Sequence, residues 1–186
     1  MKNFIVMLSA LALISCNDDP PATINITSKH QPAYGIEGRY KLIEMYTETP
    51  VDVNYDGVPT TNMLEEIDCL TGSSLETFRA VIEITDHNNS IVIDHANSKV
   101  TPNDDTPPDC FHTLRLPYDF DFNFETHEFE ITSRFEERET ECGYLISAKV
   151  IDDMVITEYD KIFFTSEGWQ TVRMHMKHQK LEPGIY

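Results

Sequence analysis

The sequence of 186 residues predicts an all-β protein, an antiparallel barrel or sandwich of eight to ten short strands. Three observations lead to this fold class. From Ile36 onward, apolar residues recur mostly at every second position, which is the period of a strand with one buried face. Clusters of Asn, Asp and Gly separate these segments as turns would. No long segment shows the period of an amphipathic helix.

The predicted strands follow one another at short intervals along the chain. They are GRYKLIEMY (38–46), FRAVIEIT (78–85), SIVIDHA (90–96), the segment from His112 to Phe124, a strand with Phe129 and Ile131, GYLISAKVI (143–151), MVITEYDKIFF (154–164) and WQTVRMHMK (169–177). Asn62 followed by Glu65 is a capping pair, which predicts a short helical turn through about Leu70. The proline-rich stretch 98–109 is predicted as a loop, and the charged run RFEERETE (134–141) as a solvated loop or strand end.

The N-terminus predicts export. Lys2 is followed by FIVMLSALALIS (4–15), an apolar run of twelve residues that suits a signal peptide and is too short to span a bilayer. The run ends in Leu13-Ile14-Ser15-Cys16, which resembles the lipobox of bacterial lipoproteins. That resemblance implies cleavage before Cys16 and attachment of acyl chains such as palmitate, which together anchor a protein stably. The alternative is an ordinary secretory signal with a chance cysteine.

Residues 16–33 are predicted to form the acylated cysteine and a flexible tether, because residues 17–33 contain three prolines and little apolar content. The start Cys16-Asn17-Asp18-Asp19 resembles the acidic export tag of surface lipoproteins of Bacteroidota. The same acids are also ordinary linker composition. We therefore expect an outer-membrane lipoprotein that faces either the cell surface or the periplasm, with one domain over residues 34–186.

The charge of the chain restricts its partners. The formal net charge is −18, and removal of residues 1–15 takes away only Lys2, which leaves 13 Lys and Arg against 32 Asp and Glu, or −19. Such a charge repels nucleic acids and anionic lipid surfaces. We expect no nucleic-acid partner and a monomer whose membrane contact is made by its acyl chains.

Three cysteines remain for the folded domain: Cys69, Cys110 and Cys142. In oxidising surroundings the expected outcome is one disulfide and one remaining thiol. We predict the pair Cys69–Cys110, because these residues end two irregular stretches that a cross-link would stabilise, although three pairings are open from the sequence. Closing a loop of about forty residues contributes roughly 3–4 kcal/mol in the chain-entropy model.

The segment GIEGRYKLIEMY (35–46) resembles the Gly-x-Trp first strand of lipocalins, with Tyr40 in the place of the tryptophan. The order of tether, G-x-aromatic strand, acidic NMLEEIDC segment (62–69) and β-meander is similar to the lipocalin-like domains of Bacteroidota lipoproteins. The resemblance covers about residues 35–178. It implies an antiparallel lipocalin-like barrel of about eight strands, with Arg173 of the closing strand against the ring of Tyr40.

One aromatic face is the main candidate for a ligand site. Its members, which alternate with polar residues, are Tyr118, Phe120, Phe122 and Phe124. Together with Tyr40 they either line a cavity for a small apolar ligand or pack into a solid core. The first outcome predicts a ligand-binding barrel, and the second predicts a surface or periplasmic protein-interaction or accessory module without a ligand.

Catalysis is not expected. The chain has no G-x-S-x-G elbow, and His127-Glu128 begins a zinc-protease motif whose second histidine is replaced by Ile131. A hydrolase that uses some pair of the many carboxylates is the third hypothesis. His175 and His178 are three residues apart on the last strand, so they point to opposite faces and do not chelate one ion. One is expected in solvent and the other at the rim.

The stretch DVNYDGVPTTNMLEE (52–66) contains half of a calcium-binding loop. Asp52, Asn54 and Asp56 occupy the first, third and fifth ligand positions, and Gly57 the sharp turn. The twelfth position, which requires a bidentate glutamate, is Met63. Either the stretch is a turn between the first strand and the short helix, or it binds Ca²⁺ with Glu65 or Glu66 folding back.

Overall fold

The computed structural model describes residues 35–67, 69–71, 74–85, 88–98 and 110–182. In this part of the chain eight antiparallel strands form a closed barrel, accompanied by two very short strands and two short helices. The predicted signal peptide, Cys16 and the tether lie outside the described residues, as does the proline-rich loop after Ser98. None of the described helices is long and apolar enough to cross a membrane.

The barrel strands are β1 (Gly38–Val51), β4 (Arg79–Ile84), β5 (Asn89–Ser98), β6 (Phe111–Asn123), β7 (Glu128–Ser133), β8 (Tyr144–Ile151), β9 (Met154–Thr165) and β10 (Gly168–Lys180). The short strands are β2 (Thr60–Asn62) and β3 (Leu70–Thr71). The helices are α1 (Met63–Glu66) and α2 (Glu136–Cys142), and Leu75–Thr77 is a 3₁₀ turn.

Each barrel strand pairs with the next one along the chain, in the order β1-β4-β5-β6-β7-β8-β9-β10, and β10 pairs back onto β1. The small strand β2 lies beside β1, and β3 pairs in parallel with the start of β6. This is an up-and-down barrel, whose closure pairs the edges that an open sheet would expose. The predicted eight-stranded antiparallel barrel is confirmed.

The interior follows from the period of two in the sequence. On β10 the buried residues are Val172, Met174, Met176 and His178, and the residues between them are more exposed. The same alternation runs along β9 from Val155 to Thr165. Because successive side chains of a strand point to opposite faces, one set fills the barrel and the other contacts solvent.

The connections alternate between the two ends of the barrel. One end carries the β5–β6, β7–β8 and β9–β10 connections together with the long segment from β1 to β4. Helix α2 lies at this end and contacts β5, β6 and β8. The sequence-based prediction of a solvated loop at 134–141 was therefore wrong. Glu and Arg favour helix, and the spacing of Glu139 and Cys142 puts both on one buried face of α2.

The predicted capping pair does open a helix. The Asn62 side chain accepts a hydrogen bond from the backbone N–H of Leu64 and donates one to the carboxylate of Glu65. Helix α1 nevertheless ends at Glu66, four residues before the predicted end. A helix this short depends on its contacts with β1 and β2 rather than on its own propensity.

Cys69 and Cys110 form a disulfide with a Cα–Cα distance of 5.0 Å and a sequence separation of 41. The predicted pairing is confirmed. The backbone N–H of Phe111 donates to the Cys69 carbonyl at 3.0 Å, so the cross-link reinforces the β3–β6 pairing. Cys142 is a buried free thiol on α2.

The wall of the barrel is least continuous between β7 and β8. Among the described residues their register contains one pair, Glu128 with Lys149, and a nearby backbone hydrogen bond runs from Val150 to His127 at 2.9 Å. The other neighbouring barrel strands share longer ladders. Helix α2 is the connection between these two strands.

Candidate functional site

The barrel interior contains buried polar side chains whose polar atoms make no hydrogen bond to the rest of the described chain. Five fully buried side chains have ring nitrogens or hydroxyl oxygens without a hydrogen-bond partner among the described residues. They are His95, Tyr118, Thr157, Tyr159 and His178. All five take inward positions, on β5, β6, β9 and β10. Buried polar atoms in proteins nearly always have partners, so such a set marks a site.

These side chains meet across the barrel. Strands β5 and β9 are four strands apart in the ring of eight, so they face each other from opposite walls. The rings of His95 on β5 and Tyr159 on β9 meet edge to face with centroids 4.8 Å apart. Thr157 and Tyr159 are successive inward positions of β9, about 7 Å apart along the strand. The polar set therefore lies in the middle of the barrel.

The set is uncharged at neutral pH. Burial lowers the pKa of His95 well below its ordinary value, and the nearby charges of Lys161 and His178 act in the same direction. Burial lowers the pKa of His178 to about 3. A neutral imidazole has one donor and one acceptor nitrogen. Each histidine can thus both donate a hydrogen bond and accept one.

The two phenols also remain protonated. Burial raises the pKa of Tyr118 and of Tyr159 above the usual tyrosine range. The neighbouring Thr157 hydroxyl opposes this rise in the pKa of Tyr159, although the two hydroxyls do not meet hydrogen-bond geometry. The interior therefore offers hydroxyl donors and acceptors beside the two histidines.

Lys161 is a buried cation that lies on β9 next to this polar set. Its side chain takes the next inward position of β9 after Tyr159, and the residue is 2% exposed. The ammonium Nζ donates to the backbone carbonyls of Cys142 at 2.9 Å and Glu141 at 3.3 Å, where α2 ends. Burial lowers the pKa of Lys161 to about 8, and the neighbouring Cys142 acts in the opposite direction.

The predicted ligand-lining residues divide into two groups. Tyr40, Tyr118 and Phe120 are buried in the interior, and Phe122 is partly buried against the same core. Phe124 is 48% exposed. It does not line the interior because β6 ends at Asn123 and the chain turns there.

The cation beside Tyr40 is not the residue that the lipocalin resemblance implied. Lys180, its register partner on β10, holds Nζ 5.9 Å from the ring centroid of Tyr40. Arg173 lies on the outer face instead, where it pairs with Asp160 and Glu158. Its position five residues before His178 puts its side chain on the opposite face of β10.

Sequence reasoning missed His95 and Lys161, and it expected His175 and His178 to lie one in solvent and one at the rim, whereas His178 is fully buried. All three buried residues occupy inward positions of strands that also carry apolar inward residues, such as Ile91 and Ile93 on β5. The period of two could have pointed to them as polar residues on a buried face. Their proximity to one another depends on the closure of the barrel.

The half calcium loop is held by hydrogen bonds within itself. Asp52 Oδ2 accepts from the N–H of Gly57 at 3.2 Å, Asn54 Oδ1 from Asp56 at 3.0 Å, and Asp56 Oδ1 from Val58 at 2.8 Å. These are the side-chain-to-backbone contacts by which Asn and Asp stabilise turns. The arrangement supports the turn interpretation.

Glu66 folds back over this loop, as the calcium interpretation requires, but its carboxylate binds backbone. Oε2 accepts from the N–H groups of Val53 at 2.6 Å and Asn54 at 3.2 Å. Among the residues that the structure describes, no three His, Cys, Asp or Glu side chains are arranged to hold a metal ion. Oδ1 of Asp52 is buried without a partner in this part of the chain, and calcium binding at Asp52, Asn54 and Asp56 stays a prediction.

A groove of about 540 Å³ lies outside the barrel, beside α2 and the outer faces of β8, β9 and β10. Tyr144 and Ile162 line it with large exposed apolar surface. Ile146 of β8 and Phe135, which directly precedes α2, are also exposed. The acidic members of the lining are Glu136, Glu139 and Asp160. This is a second concave surface, and it is separate from the interior polar set.

The fold and the interior define the molecule as a closed up-and-down β-barrel with a buried, largely neutral polar set and one buried lysine. This architecture is compatible with that of a lipocalin-like barrel. Comparisons with models of protein families, with curated proteins and with solved structures found no match to the chain.

Proposed function

We propose that the barrel binds a small molecule in its interior. The observation that carries this proposal is the set of five buried polar side chains without partners in the described chain. Each such group costs about 1–3 kcal/mol when it is left unsatisfied. A ligand with hydrogen-bonding groups would supply the missing partners, as ordered water also can. Binding rather than catalysis is proposed.

The side chains around the polar set indicate the chemistry of the rest of the ligand. The walls are apolar, with Ile91, Ile93 and Leu116 fully buried on β5 and β6. Met174 and Met176 on β10 add flexible side chains that adapt to ligands of irregular shape. We therefore propose a ligand with an apolar body, as expected from the sequence, that also carries polar groups.

The gap between β7 and β8 offers a route into the barrel. The one register pair there, Glu128 with Lys149, leaves less backbone pairing to break than at the other joins. Segments with few shared hydrogen bonds open at low free-energy cost. Helix α2 joins these two strands and would move with them.

Native mass spectrometry of residues 17–186, the chain without its predicted signal peptide and lipidated cysteine, tests the proposal. We expect a co-purifying small molecule that is lost when His95 and Tyr159 are both replaced by phenylalanine, because hydrogen bonds of about 1 kcal/mol each disappear. Tyr46→Phe is the matched control, since Tyr46 lies on the outer face of β1 and stacks on His175. A wild-type barrel that is always recovered empty and gains no stability from added cell extract would refute the proposal.

We further propose that acyl chains on Cys16 hold the barrel at the outer membrane, facing the cell surface or the periplasm. The lipobox-like residues Leu13 to Cys16 support this, and the strongly negative mature chain has no electrostatic attraction to anionic lipid. Two or more acyl chains would then be the main membrane contact.

Cys16→Ser is expected to abolish incorporation of labelled palmitate and to leave the protein either unprocessed or in the soluble fraction. Ser28→Ala, in the predicted tether, is the control and should incorporate the label and fractionate as wild type does. Normal processing and unchanged membrane fractionation of Cys16→Ser would show that the protein is not a lipoprotein.

A second candidate function is a protein-interaction or accessory module that uses the outer surface. The groove beside α2, with exposed Tyr144 and Ile162, favours it, because exposed apolar surface next to a concavity is typical of interaction sites. The two candidates differ in what they require of the interior. An interior that never holds a ligand would leave this second function as the better supported one.

A further inference from the structure

We propose that the interior ligand is an apolar carboxylic acid, whose carboxylate lies between the Lys161 ammonium and the inward donors of His95 and Tyr159. This inference deepens the proposed function and rests on it. It concerns the chemical class of the ligand. The neutral polar set alone could hydrogen-bond to ligands of many classes. Lys161 distinguishes among them.

The charge of Lys161 is buried and has no carboxylate partner in the described chain. The residue is 2% exposed, and no carboxylate of the described chain lies within salt-bridge distance of Nζ. Two backbone carbonyls of α2 accept from it, whereas an ammonium has three N–H donors. Lysine is almost never fully buried without a charged partner, because removal of a charge from water is costly.

Helix α2 is the first of the elements that surround the Lys161 ammonium. Helix α2 presents the Cys142 thiol, whose pKa is raised by burial, and the carboxylate of Glu139. That carboxylate is already engaged by Arg134 Nη1 at 3.2 Å and by the N–H of Leu145 at 3.3 Å. The buried acid nearest to Lys161 along α2 is therefore neutralised by another cation.

The other walls present neutral groups. His95 approaches from β5, close enough that the Lys161 charge helps to lower the pKa of its imidazole. Tyr159 lies one inward position away on β9 and touches His95 ring to ring at 4.8 Å. A neutral imidazole N–H and a phenol O–H both donate, and neither supplies the negative charge that Lys161 lacks.

These groups together match a carboxylate. One ammonium N–H, one imidazole N–H and one phenol O–H can converge on two carboxylate oxygens, and charge-assisted hydrogen bonds of this kind are about twice as strong as neutral ones. The apolar walls and methionines described above would surround the remainder of the molecule. A neutral ligand would leave the ammonium with its two backbone carbonyls and the Phe163 ring, whose centroid is 5.4 Å from Nζ, but without a counter-charge. A cationic ligand would be repelled by it.

A purely structural role for Lys161 is the competing explanation. Lysine side chains often bond to the last carbonyls of a helix, as Lys161 does at Glu141 and Cys142. That role requires no anion and predicts no preference between an acid and a neutral analogue. The experiment therefore compares matched ligands, and stability is measured only as a control.

The same chain, residues 17–186, is titrated at pH 7 with two matched pairs: decanoate against decan-1-ol, and 3-phenylpropanoate against 3-phenylpropan-1-ol. We expect the acid of at least one pair to bind tenfold or more tightly than its alcohol. Lys161→Met should abolish that preference while the alcohol binds as before. Lys161→Arg, which keeps the charge, should retain it. Lys177→Met, on the outer face of β10 where Lys177 pairs with Glu44, is the matched control and should behave as wild type.

The pH dependence of wild-type binding provides a readout that needs no variant. Because the pKa of Lys161 is about 8, the free site loses its charge above that pH. Acid binding must then take up a proton, and its affinity should fall about tenfold per pH unit, whereas alcohol binding should not change. This measurement stands even if Lys161→Met does not fold.

The outcomes separate the two proposals. If no member of either pair binds, this inference is refuted, and the mass-spectrometric test described above decides the interior binding function separately. If acid and alcohol bind equally, the barrel binds small molecules without selecting acids. If the preference survives in Lys161→Met, or if acid affinity does not fall above pH 8, Lys161 does not hold the carboxylate; each of these results refutes this inference and leaves the interior binding function standing.

Discussion

Replacement of Arg134 by alanine is expected to lower the free energy of unfolding by about 3–5 kcal/mol, because it leaves a buried carboxylate without its cation. The side chain of Glu139 is 2% exposed and lies 3.2 Å from Arg134 Nη1. The same Nη1 donates to the Leu145 carbonyl at 3.3 Å, and the guanidinium lies 4.5 Å from the centroid of the Tyr144 ring. Arg134 thus joins α2 to the start of β8.

Urea denaturation of wild type and variant measures this loss. Arg138→Ala is the matched control on the same helix, since its 3.6 Å pair with Glu141 is exposed on both sides. Exposed pairs of this kind contribute about 0–1 kcal/mol. Equal effects of the two substitutions would contradict the distinction between the buried pair and the surface pair.

Replacement of Glu66 by alanine is expected to destabilise the barrel by about 2–4 kcal/mol, because two backbone N–H groups lose a charged acceptor. Glu66 is 1% exposed, and the N–H groups belong to Val53 and Asn54. The loop they belong to also contacts the β9–β10 turn at the same barrel end, where the Ser166 N–H donates to the Asp52 carbonyl at 2.9 Å. Loss of Glu66 should therefore loosen this end of the barrel.

Thermal and urea unfolding of Glu66→Ala are compared with those of Glu65→Ala. The neighbouring Glu65 is exposed and bonds only to the Asn62 side chain among the described residues, so its loss should cost less than about 1 kcal/mol. Similar losses for both variants would show that Glu66 does not hold the loop. Wild-type melts repeated with millimolar calcium also test the calcium prediction, since a ligand of the folded state raises its stability and a plain turn gives no change.

The period of two in the sequence was sufficient to predict the barrel strands and the inward face of β6. Tyr118 and Phe120 are buried as this pattern indicates, because burial of one face of a strand is a local property of its alternation. The pattern failed at Phe124 and in the run 134–141. In both places a strand ends, and the position of that end depends on turns and packing rather than on alternation.

For the disulfide, the sequence predicts how many cross-links form, and the tertiary structure decides which cysteines pair. Composition and compartment predicted one cross-link among three cysteines, but three pairings were open. The pairing of β3 with β6 brings Cys69 beside Cys110, and the fold places Cys142 inside α2. The choice between pairings is a matter of distance in space, which spacing along the chain does not contain.

The sequence by itself determined the all-β class, the alternation of buried and exposed positions along the strands and the strong acidity of the chain, and its N-terminus predicts an exported lipoprotein. Only the tertiary structure decided that His95 on β5 meets Tyr159 on β9, and that Lys161 is a buried cation at the end of α2. The reason is physical. Alternation along a strand is set by neighbours two residues apart, whereas opposite walls of a barrel meet only after eight strands have closed. His95 and Tyr159 are 64 positions apart in the sequence.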